Sequence, residues 1–404
     1  MRHLFTYFLL LLIVMLFLVT CSLPTNTNQV AKPVFSIPGG TYYLPITVSI
    51  SCPTDSSEIR YTIDGTTPDE NSRRYSGPIS VTSSLTLKAI ALKNGMDNSR
   101  ISIVEYIAFS PPIVGRCSDG GGSNIEISGN YAFVTRNQYP ISELKIVNIS
   151  NPSHPYVVRN IEIPYYCNDI AVAEDYVYVL AANSLLIIDI SHPSSAYIKG
   201  SCAISGPNTD VEVSGHYAYV TSQEEPAILI VDVGNPTSPF LASSFSVSPD
   251  YFFRDLALKD NRLYGLCRVG GANMCMFISW NISNPLVPQF DYQIWALYGW
   301  DIAVSDLQFY ILAEGDYYDG IYSIFGHTFF PIPGNPLNLT LSNNYAYVTC
   351  GYSGLKVIDL TVPSTPVIVG TCDLPDNGSA VDVRVAGNYA YVVGTDLYII
   401  SITP

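Results

Sequence analysis

The chain has 404 residues, of which only 13% are charged, and its formal net charge is −15 at pH 7. An acidic chain without a basic patch repels nucleic-acid phosphates, so we exclude nucleic-acid binding. Its 30 tyrosines, many β-branched residues and few charges favour stacked β-sheets over helices.

The first 20 residues have the layout of a signal peptide, with Arg2 before an apolar run from Leu4 to Val19. The run ends in Leu18-Val19-Thr20-Cys21, which resembles the lipobox of bacterial lipoproteins. This resemblance implies cleavage after Thr20 and lipidation of Cys21. An uncleaved signal anchor or a plain secretory signal is the alternative. We therefore expect an extracytoplasmic lipoprotein of the cell envelope, on the outer membrane or cell surface, whose membrane contact is the lipid anchor.

Residues 22–32 are rich in Thr, Asn and Pro, and with Cys21 they form a short flexible tether. Residues 33–108 are a separate unit, in which residues 61–68, 75–79 and 85–91 are predicted strands joined by Asp-Gly and Gly-Pro turns. This unit resembles the chitobiase/β-hexosaminidase C-terminal module, a small immunoglobulin-like β-sandwich. The resemblance implies a companion domain and glycan surroundings but no catalytic residue. A spacer role is favoured over direct glycan contact.

A repeat occupies the rest of the chain, residues 111–404. An Asn or Asp opens an apolar-x-apolar triplet, and an aromatic block such as Tyr217-Ala218-Tyr219-Val220 begins seven residues after each opener. The openers are spaced 37 to 46 residues apart, which is typical of a β-propeller built from short strands. These seven openers are Asn124, Asp169, Asp210, Asp255, Asp301, Asn338 and Asp382.

Each copy contains four predicted strands, which is one propeller blade. In the third copy they are residues 210–213, 217–221 and 228–233, and a strand that starts at Phe240. The stretches 185–193 and 355–363 resemble the LVIVD repeat of bacterial and archaeal surface proteins. The resemblance covers residues 111–404 and is weakest in the fourth and fifth copies, where 321–326 departs most. It implies a propeller fold and an extracytoplasmic location, and it carries no chemistry.

The two ends of the repeat region predict ring closure. The last copy stops at its third strand, and the missing fourth strand is present before the first copy, as Pro112–Cys117. The N-terminal segment is therefore expected to complete the C-terminal blade, which leaves no open sheet edge. The fold predicted is all-β, a seven-bladed propeller preceded by the sandwich.

Nine cysteines are present, but the repeat register argues against a disulfide framework. Cys117, Cys202 and Cys372 occupy one equivalent position in three blades, where the ring holds them apart. Cys267 and Cys275 flank one loop and are the single candidate disulfide pair. No Cys-x-x-Cys motif is present, so we expect no structural zinc.

Ligand binding is predicted on the face where the openers surround the mouth of the central channel. The loops between second and third strands leave on that face and vary between copies, whereas the proline turns on the other face repeat. The candidate ligand-binding residues are Arg136, Tyr139, Glu224, Glu225, Glu314, Asp316, Tyr317, Tyr318 and Asp319.

Two acidic groups on this face are weak candidates for a metal site. The openers could form a ring around a cation, but repetition in every blade favours a structural role in which each caps its turn through nearby backbone N–H groups. Asp316 and Asp319 could bind calcium, but their spacing does not match a calcium-loop pattern, so a solvated loop is favoured. No metal or cofactor is expected.

Catalysis is not expected. Gly351-Tyr352-Ser353-Gly354 is not a nucleophile elbow, and His327 is the one histidine outside the signal and the turns. The function predicted is therefore a monomeric, lipid-anchored binding protein whose loop face recognises a protein or glycan. A propeller glycoside hydrolase or polysaccharide lyase, with paired carboxylates in the channel, is one alternative. A scaffold for an envelope complex is another.

Overall fold

The computed structural model describes residues 28–403 except 207, 223–226, 247, 249, 271–273, 306–307 and 314–318. These residues form strands, with two single 3-10 turns and no α-helix. No helix among them has the length and apolar character needed to cross a membrane. The chain divides into two units, one ending at Phe109 and the other beginning at Ser110.

The described residues of the first unit form a small β-sandwich-like domain of nine strands. Its largest sheet has the order β2-β9-β8-β5-β6, and β1-β4 and β3-β7 are two further pairs. Alternation along β8 directs Leu87 and Ala89 into a core that also holds Val48, Val81 and Tyr106. The strands are β1 Val34–Phe35, β2 Gly40–Tyr42, β3 Ile46–Val48, β4 Ile50–Ser51, β5 Glu58–Thr62, β6 Arg73–Arg74, β7 Ile79–Val81, β8 Leu85–Leu92 and β9 Ser102–Ala108.

The second unit consists of four-stranded antiparallel sheets that repeat along the chain, and its described residues form seven of them. The first sheet contains β11 Asn124–Ser128, β12 Tyr131–Arg136, β13 Ser142–Asn148 and β14 Tyr156–Ile163, and the second contains β15 Cys167–Ala173, β16 Tyr176–Ala181, β17 Ser184–Asp189 and β18 Tyr197–Ala203. The third sheet contains β19 Val211–Ser214, β20 Tyr217–Ser222, β21 Ala227–Asp232 and β22 Phe240–Phe245. The fourth contains β23 Tyr251–Lys259, β24 Arg262–Val269, β25 Met274–Asn281 and β26 Gln289–Leu297.

The remaining three sheets include one whose strands come from both ends of the unit. The fifth sheet contains β27 Gly299–Val304, β28 Phe309–Ala313, β29 Gly320–Ser323 and β30 Thr328–Pro331, and the sixth contains β31 Asn338–Ser342, β32 Tyr345–Thr349, β33 Leu355–Asp359 and β34 Val367–Cys372. The seventh sheet combines β35 Ala380–Ala386, β36 Tyr389–Gly394 and β37 Leu397–Ser401 with β10 Ile113–Cys117. The fifth sheet, where the repeat pattern is worn, has outer strands of only four residues each.

The predicted ring closure is confirmed. Strand β10 pairs antiparallel with β37, with Cys117 opposite Leu397. Arg116 of β10 stabilises this pairing through two ion pairs. Its Nε lies 2.5 Å from Asp396 Oδ2, and its Nη1 lies 2.8 Å from Asp376 Oδ2. The first strands of successive sheets contact one another from β11 round to β35, and β35 contacts β11 again. The unit is therefore a closed, propeller-like ring.

The core lies between neighbouring sheets, which explains the continuous apolar runs of the third strands. On β17, Ile188 packs with Leu144 and Ile146 of the preceding sheet. Its neighbour Ile187 points the other way, into a cluster with Val220 of the following sheet. A strand buried on both faces has no place for polar alternation.

The candidate disulfide is not formed, and all eight described cysteines are free thiols. Cys267 is paired in register with Met276, so Cys275 is one residue out of step, opposite Arg268. Successive side chains alternate between the faces of a sheet, so the two thiols lie on opposite faces of β24 and β25. Cys267 packs against Phe253, and Cys275 packs in a different core cluster.

Candidate ligand-binding face

The openers surround a central channel of about 510 Å³, as the sequence predicted. Alternation along the innermost strands directs the opener and the residue two positions later toward the channel. That second position is Ala or Thr in four sheets, but it is Glu126, Glu212 and Arg384 in the other three. Sequence reasoning missed these charged residues, although the central position of the apolar-x-apolar triplet was the available signal.

The acidic openers join neighbouring sheets, which corrects the prediction that each caps its own turn. The carboxylate Oδ2 of every Asp opener accepts a hydrogen bond from the backbone N–H of the residue that follows the next sheet's opener. The five bonds run from Ile125 to Asp382 (2.8 Å), Val211 to Asp169 (3.0 Å), Leu256 to Asp210 (2.7 Å), Ile302 to Asp255 (2.6 Å) and Leu339 to Asp301 (2.5 Å).

The two asparagine openers behave differently. The Asn124 Oδ1 accepts from Thr135 Oγ1 at 2.9 Å, and its Nδ2 donates to the carbonyl oxygen of Asn168 at 3.2 Å. The Asn338 Oδ1 is buried without a hydrogen-bond partner. The structural role of the openers is therefore supported, and its main effect is to link sheets. Asp382 also bonds a nearby backbone group, because its Oδ1 accepts from the Val383 N–H at 2.7 Å.

Burial changes the protonation of the channel carboxyls. It raises the pKa of Asp210 and of Asp301 to about 7 and that of Glu212 to about 8. The pKa values of Asp169 and Asp255 are raised well above the usual value, first by burial and then by repulsion from Asp210. Several of these carboxyls are therefore protonated near neutral pH.

Arg384 is the single cation among the channel-lining residues. Its Nε lies 2.7 Å from Glu126 Oε1, and its Nη1 lies 3.0 Å from Asp382 Oδ1. Among the described residues, no three His, Cys, Asp or Glu side chains are placed to hold a metal ion. His327 lies on the turn after β29, where its Nδ1 is 2.8 Å from Tyr322 Oη, and it does not line the channel.

Exposed tyrosines stand on the loops at the channel mouth. Tyr139, between β12 and β13, is 97% exposed, and Tyr165 and Tyr166, between β14 and β15, are 54% and 65% exposed. Asn137 holds the two loops together, since its Nδ2 donates to the Cys167 carbonyl and its Oδ1 accepts from the Cys167 N–H, both at 2.8 Å. Aromatic side chains left in solvent on a braced loop pair are suited to stacking on a ligand.

A polar pocket of about 410 Å³ lies beside these loops and shares Ser123 and Asn124 with the channel. We name it the amide pocket. Four asparagines line it, together with two hydroxyl residues, a thiol and one exposed aromatic ring. Its lining residues are Ser123, Asn124, Asn137, Tyr166, Cys167, Asn168, Asn208 and Thr209.

The predicted ligand-binding residues are not all gathered at one site. Arg136 and Tyr139 are exposed beside the amide pocket, on the first sheet. Asp319 lies just before β29 on the fifth sheet, and its carbonyl oxygen accepts from the Ile332 N–H at 2.9 Å. The other predicted residues and the lipidation site lie outside the described part of the chain. They are Cys21, Glu224, Glu225, Glu314, Asp316, Tyr317 and Tyr318.

Comparison with protein families finds matches in both units. Residues 37–103 match the chitobiase/beta-hexosaminidase C-terminal domain. Residues 119–162, 166–204, 205–247, 333–374 and 377–403 match the LVIVD repeat. The chain therefore carries a chitobiase/β-hexosaminidase C-terminal-like domain followed by five recognised LVIVD repeats. The unmatched stretch 248–332 covers the fourth and fifth sheets, whose repeat pattern is the most worn.

Comparison with curated proteins finds no match to the sequence. Among solved structures, Raptor of Chaetomium thermophilum matches with a TM-score of 0.58 at 8% identity, over 74% of this chain and 30% of that one. BamB of Moraxella catarrhalis matches with a TM-score of 0.46 at 10% identity, over 77% of this chain and 88% of that one. Sqt1 of Saccharomyces cerevisiae matches at 0.49 with 8% identity, over 73% and 99%. At these identities the likeness concerns the fold alone.

Proposed function

We propose that this protein is a lipid-anchored, extracytoplasmic binding protein whose loop face recognises a glycan without catalysis. The observation that carries the proposal is the group of exposed tyrosines, Tyr139, Tyr165 and Tyr166, beside a pocket lined by amides and hydroxyls. Sugar rings present apolar faces that stack on aromatic side chains and hydroxyls that pair with amides. A rigid ring of sheets with binding loops on one face is a common arrangement for recognition.

Charge narrows the kind of glycan. The whole chain is acidic, with a formal net charge of −15 at pH 7. Anionic polymers would be repelled from a protein of this charge. An uncharged glycan is therefore the preferred ligand.

Co-sedimentation with insoluble glycans tests the proposal. The full chain in detergent should pellet with at least one uncharged polysaccharide, and a double Tyr139→Ala, Tyr166→Ala variant should stay in solution. The matched control is Tyr156→Ala with Tyr197→Ala, because these exposed tyrosines begin β14 and β18 at the opposite end of their sheets. Absence of wild-type binding, or equal loss in the control, would overturn the loop-face assignment.

Lipid anchoring rests on the resemblance of residues 18–21 to a lipobox. A Cys21→Ala variant should leave the membrane fraction and appear as a soluble, extracytoplasmic protein. Retention of that variant in the membrane would favour an uncleaved signal anchor instead.

A glycoside hydrolase acting in the channel is the second candidate, favoured by Glu212. This carboxyl faces the channel, has a pKa raised to about 8 by burial, and has no hydrogen-bond or ion-pair partner among the described residues. A protonated carboxyl near neutral pH is what a general acid requires. Release of soluble sugar by the wild type, abolished in Glu212→Gln, would replace the binding function with this one.

A further inference from the structure

A ladder of asparagine side chains crosses three neighbouring sheets beneath the amide pocket. Asn124 Nδ2 donates to the backbone carbonyl of Asn168 at 3.2 Å, and Asn168 Nδ2 donates to that of Asn208 at 2.6 Å. Asn208 Nδ2 in turn donates to the carbonyl of Gly206 at 2.8 Å. Because every partner is a carbonyl oxygen, the amide orientations are fixed: a flipped amide would bring two oxygens together.

The ladder uses the amide nitrogens and leaves amide oxygens without donors. Asn208 is only 1% exposed, lines the pocket, and its Oδ1 is buried without a hydrogen-bond partner. No donor reaches Asn168 Oδ1 either, within the part of the chain that the structure describes. A buried carbonyl oxygen without a partner destabilises the fold unless something donates to it. The pocket is therefore rich in acceptors and suits a ligand that donates.

We infer that the amide pocket is the subsite for one uncharged, hydroxyl-bearing sugar ring of the bound glycan, an inference that rests on the proposed function. Hydroxyls of the ring donate to the Asn168 and Asn208 amide oxygens. The exposed ring of Tyr166 at the rim packs against the apolar face of the sugar. A volume of about 410 Å³ lies within the usual range for small-molecule sites.

The free acceptors of the pocket also disfavour acidic sugars. The side-chain atoms that lack a partner in it are the Asn168 and Asn208 amide oxygens, which carry partial negative charge. A uronic acid or a sulfated sugar would find few free donors there and would lose its hydration without compensation. The acceptors that favour hydroxyls therefore select against anions.

Titration calorimetry of the full chain in detergent tests this inference. The probes are tetramers of glucose and of N-acetylglucosamine, with tetragalacturonate as the anionic comparison. At least one uncharged tetramer should bind, and tetragalacturonate should bind at least ten-fold more weakly. Equal binding of the anionic probe would overturn the assignment of the ligand class.

Three variants test where the sugar ring binds. Tyr166→Ala should weaken the uncharged tetramer about three- to ten-fold, as loss of one aromatic contact does. Its matched control is Tyr156→Ala, because Tyr156 is similarly exposed but begins β14 at the opposite end of its sheet, and it should change Kd less than two-fold. Asn168→Ala should weaken binding at least five-fold. Its thermal unfolding midpoint should be measured to confirm that the propeller-like unit is folded.

The outcomes separate the subsite from the broader function. If the tetramer binds and Tyr139→Ala weakens it while Tyr166→Ala and Asn168→Ala do not, the loop face binds glycan but the amide pocket is not the subsite. If no glycan binds the wild type, the proposed function itself fails. If the tetramer binds and the pocket variants weaken it, a crystal structure of the complex should show a sugar hydroxyl at Asn168 Oδ1, and a sugar ring bound elsewhere would overturn the inference.

Discussion

Replacing Glu212 by Gln should stabilise the protein at high pH and leave it nearly unchanged at low pH. Glu212 faces the channel, and burial raises its pKa to about 8 from the usual value of 4.5. Below pH 4.5 the carboxyl is protonated in both the folded and the unfolded chain. As the pH rises from 4.5 toward 8, the unfolded chain releases this proton first, so the free energy of unfolding falls. Gln stays neutral throughout and avoids this loss.

The size of the effect follows from the pKa. At about 1.4 kcal/mol for each factor of ten in proton affinity, a change from 4.5 to about 8 sets a ceiling of about 5 kcal/mol. Glu212 is half-buried at the wall of a channel that admits water, so the realised gain should be about 1–2 kcal/mol. For a unit of this size that corresponds to a rise of about 2–5 °C in Tm.

Thermal unfolding of the two proteins at pH 5 and pH 9 measures this gain. Glu212→Gln should raise the midpoint of the propeller transition at pH 9 and change it by less than about 1 °C at pH 5. Glu162→Gln, on the exposed strand β14, serves as the control and should shift neither. An equal shift at both pH values, or a lower midpoint at pH 9, would refute the assignment of a raised pKa to Glu212.

Three further predictions concern the ring. Asp255→Ala removes the acceptor for the Ile302 N–H and should be less stable than Asp255→Asn by about 1–3 kcal/mol in urea unfolding; equal stability would contradict the inter-sheet bond. Arg116→Ala should accelerate amide hydrogen exchange in β10 far more than in the other outer strands, since Arg116 ties the closing joint. Cys267 and Cys275 should both be alkylated after denaturation without reductant, and protection of both from alkylation would show that they form a disulfide.

Features that depend on local alternation were predictable from the sequence. The openers and aromatic blocks repeat with the period of four short strands, and the third strands are apolar on both faces. The displaced fourth strand, Pro112–Cys117, could be recognised because the last copy lacks one. These signals lie within one copy or at the chain ends, so no knowledge of distant contacts was needed.

Features that depend on neighbouring sheets were not predictable. The N–H bound by Asp169 belongs to Val211, 42 residues later, and nothing near Asp169 in sequence marks it as a partner. The disulfide prediction was wrong because it depends on the pairing register of β24 and β25. That register places Cys267 and Cys275 one residue out of step, and therefore on opposite faces of the sheet.

The site was partly accessible to sequence reasoning. Arg136 and Tyr139 were predicted because their loop varies between copies, and they lie beside the amide pocket. Asn168 and Asn208 were not predicted, because an asparagine shortly before an opener is typical of a turn. Its hydrogen bonds to the backbone of a neighbouring sheet cannot be inferred from the sequence. Glu212 was missed although its position on an innermost strand marks it as facing the channel.

A glycan microarray probed with the full chain and with the Tyr139→Ala, Tyr166→Ala variant is the most direct test of loop-face glycan recognition. The wild type should label a set of uncharged glycans, and the variant should lose that same set while keeping its thermal unfolding midpoint. A wild type that labels no glycan, or a folded variant that labels the same set with equal strength, would contradict the account.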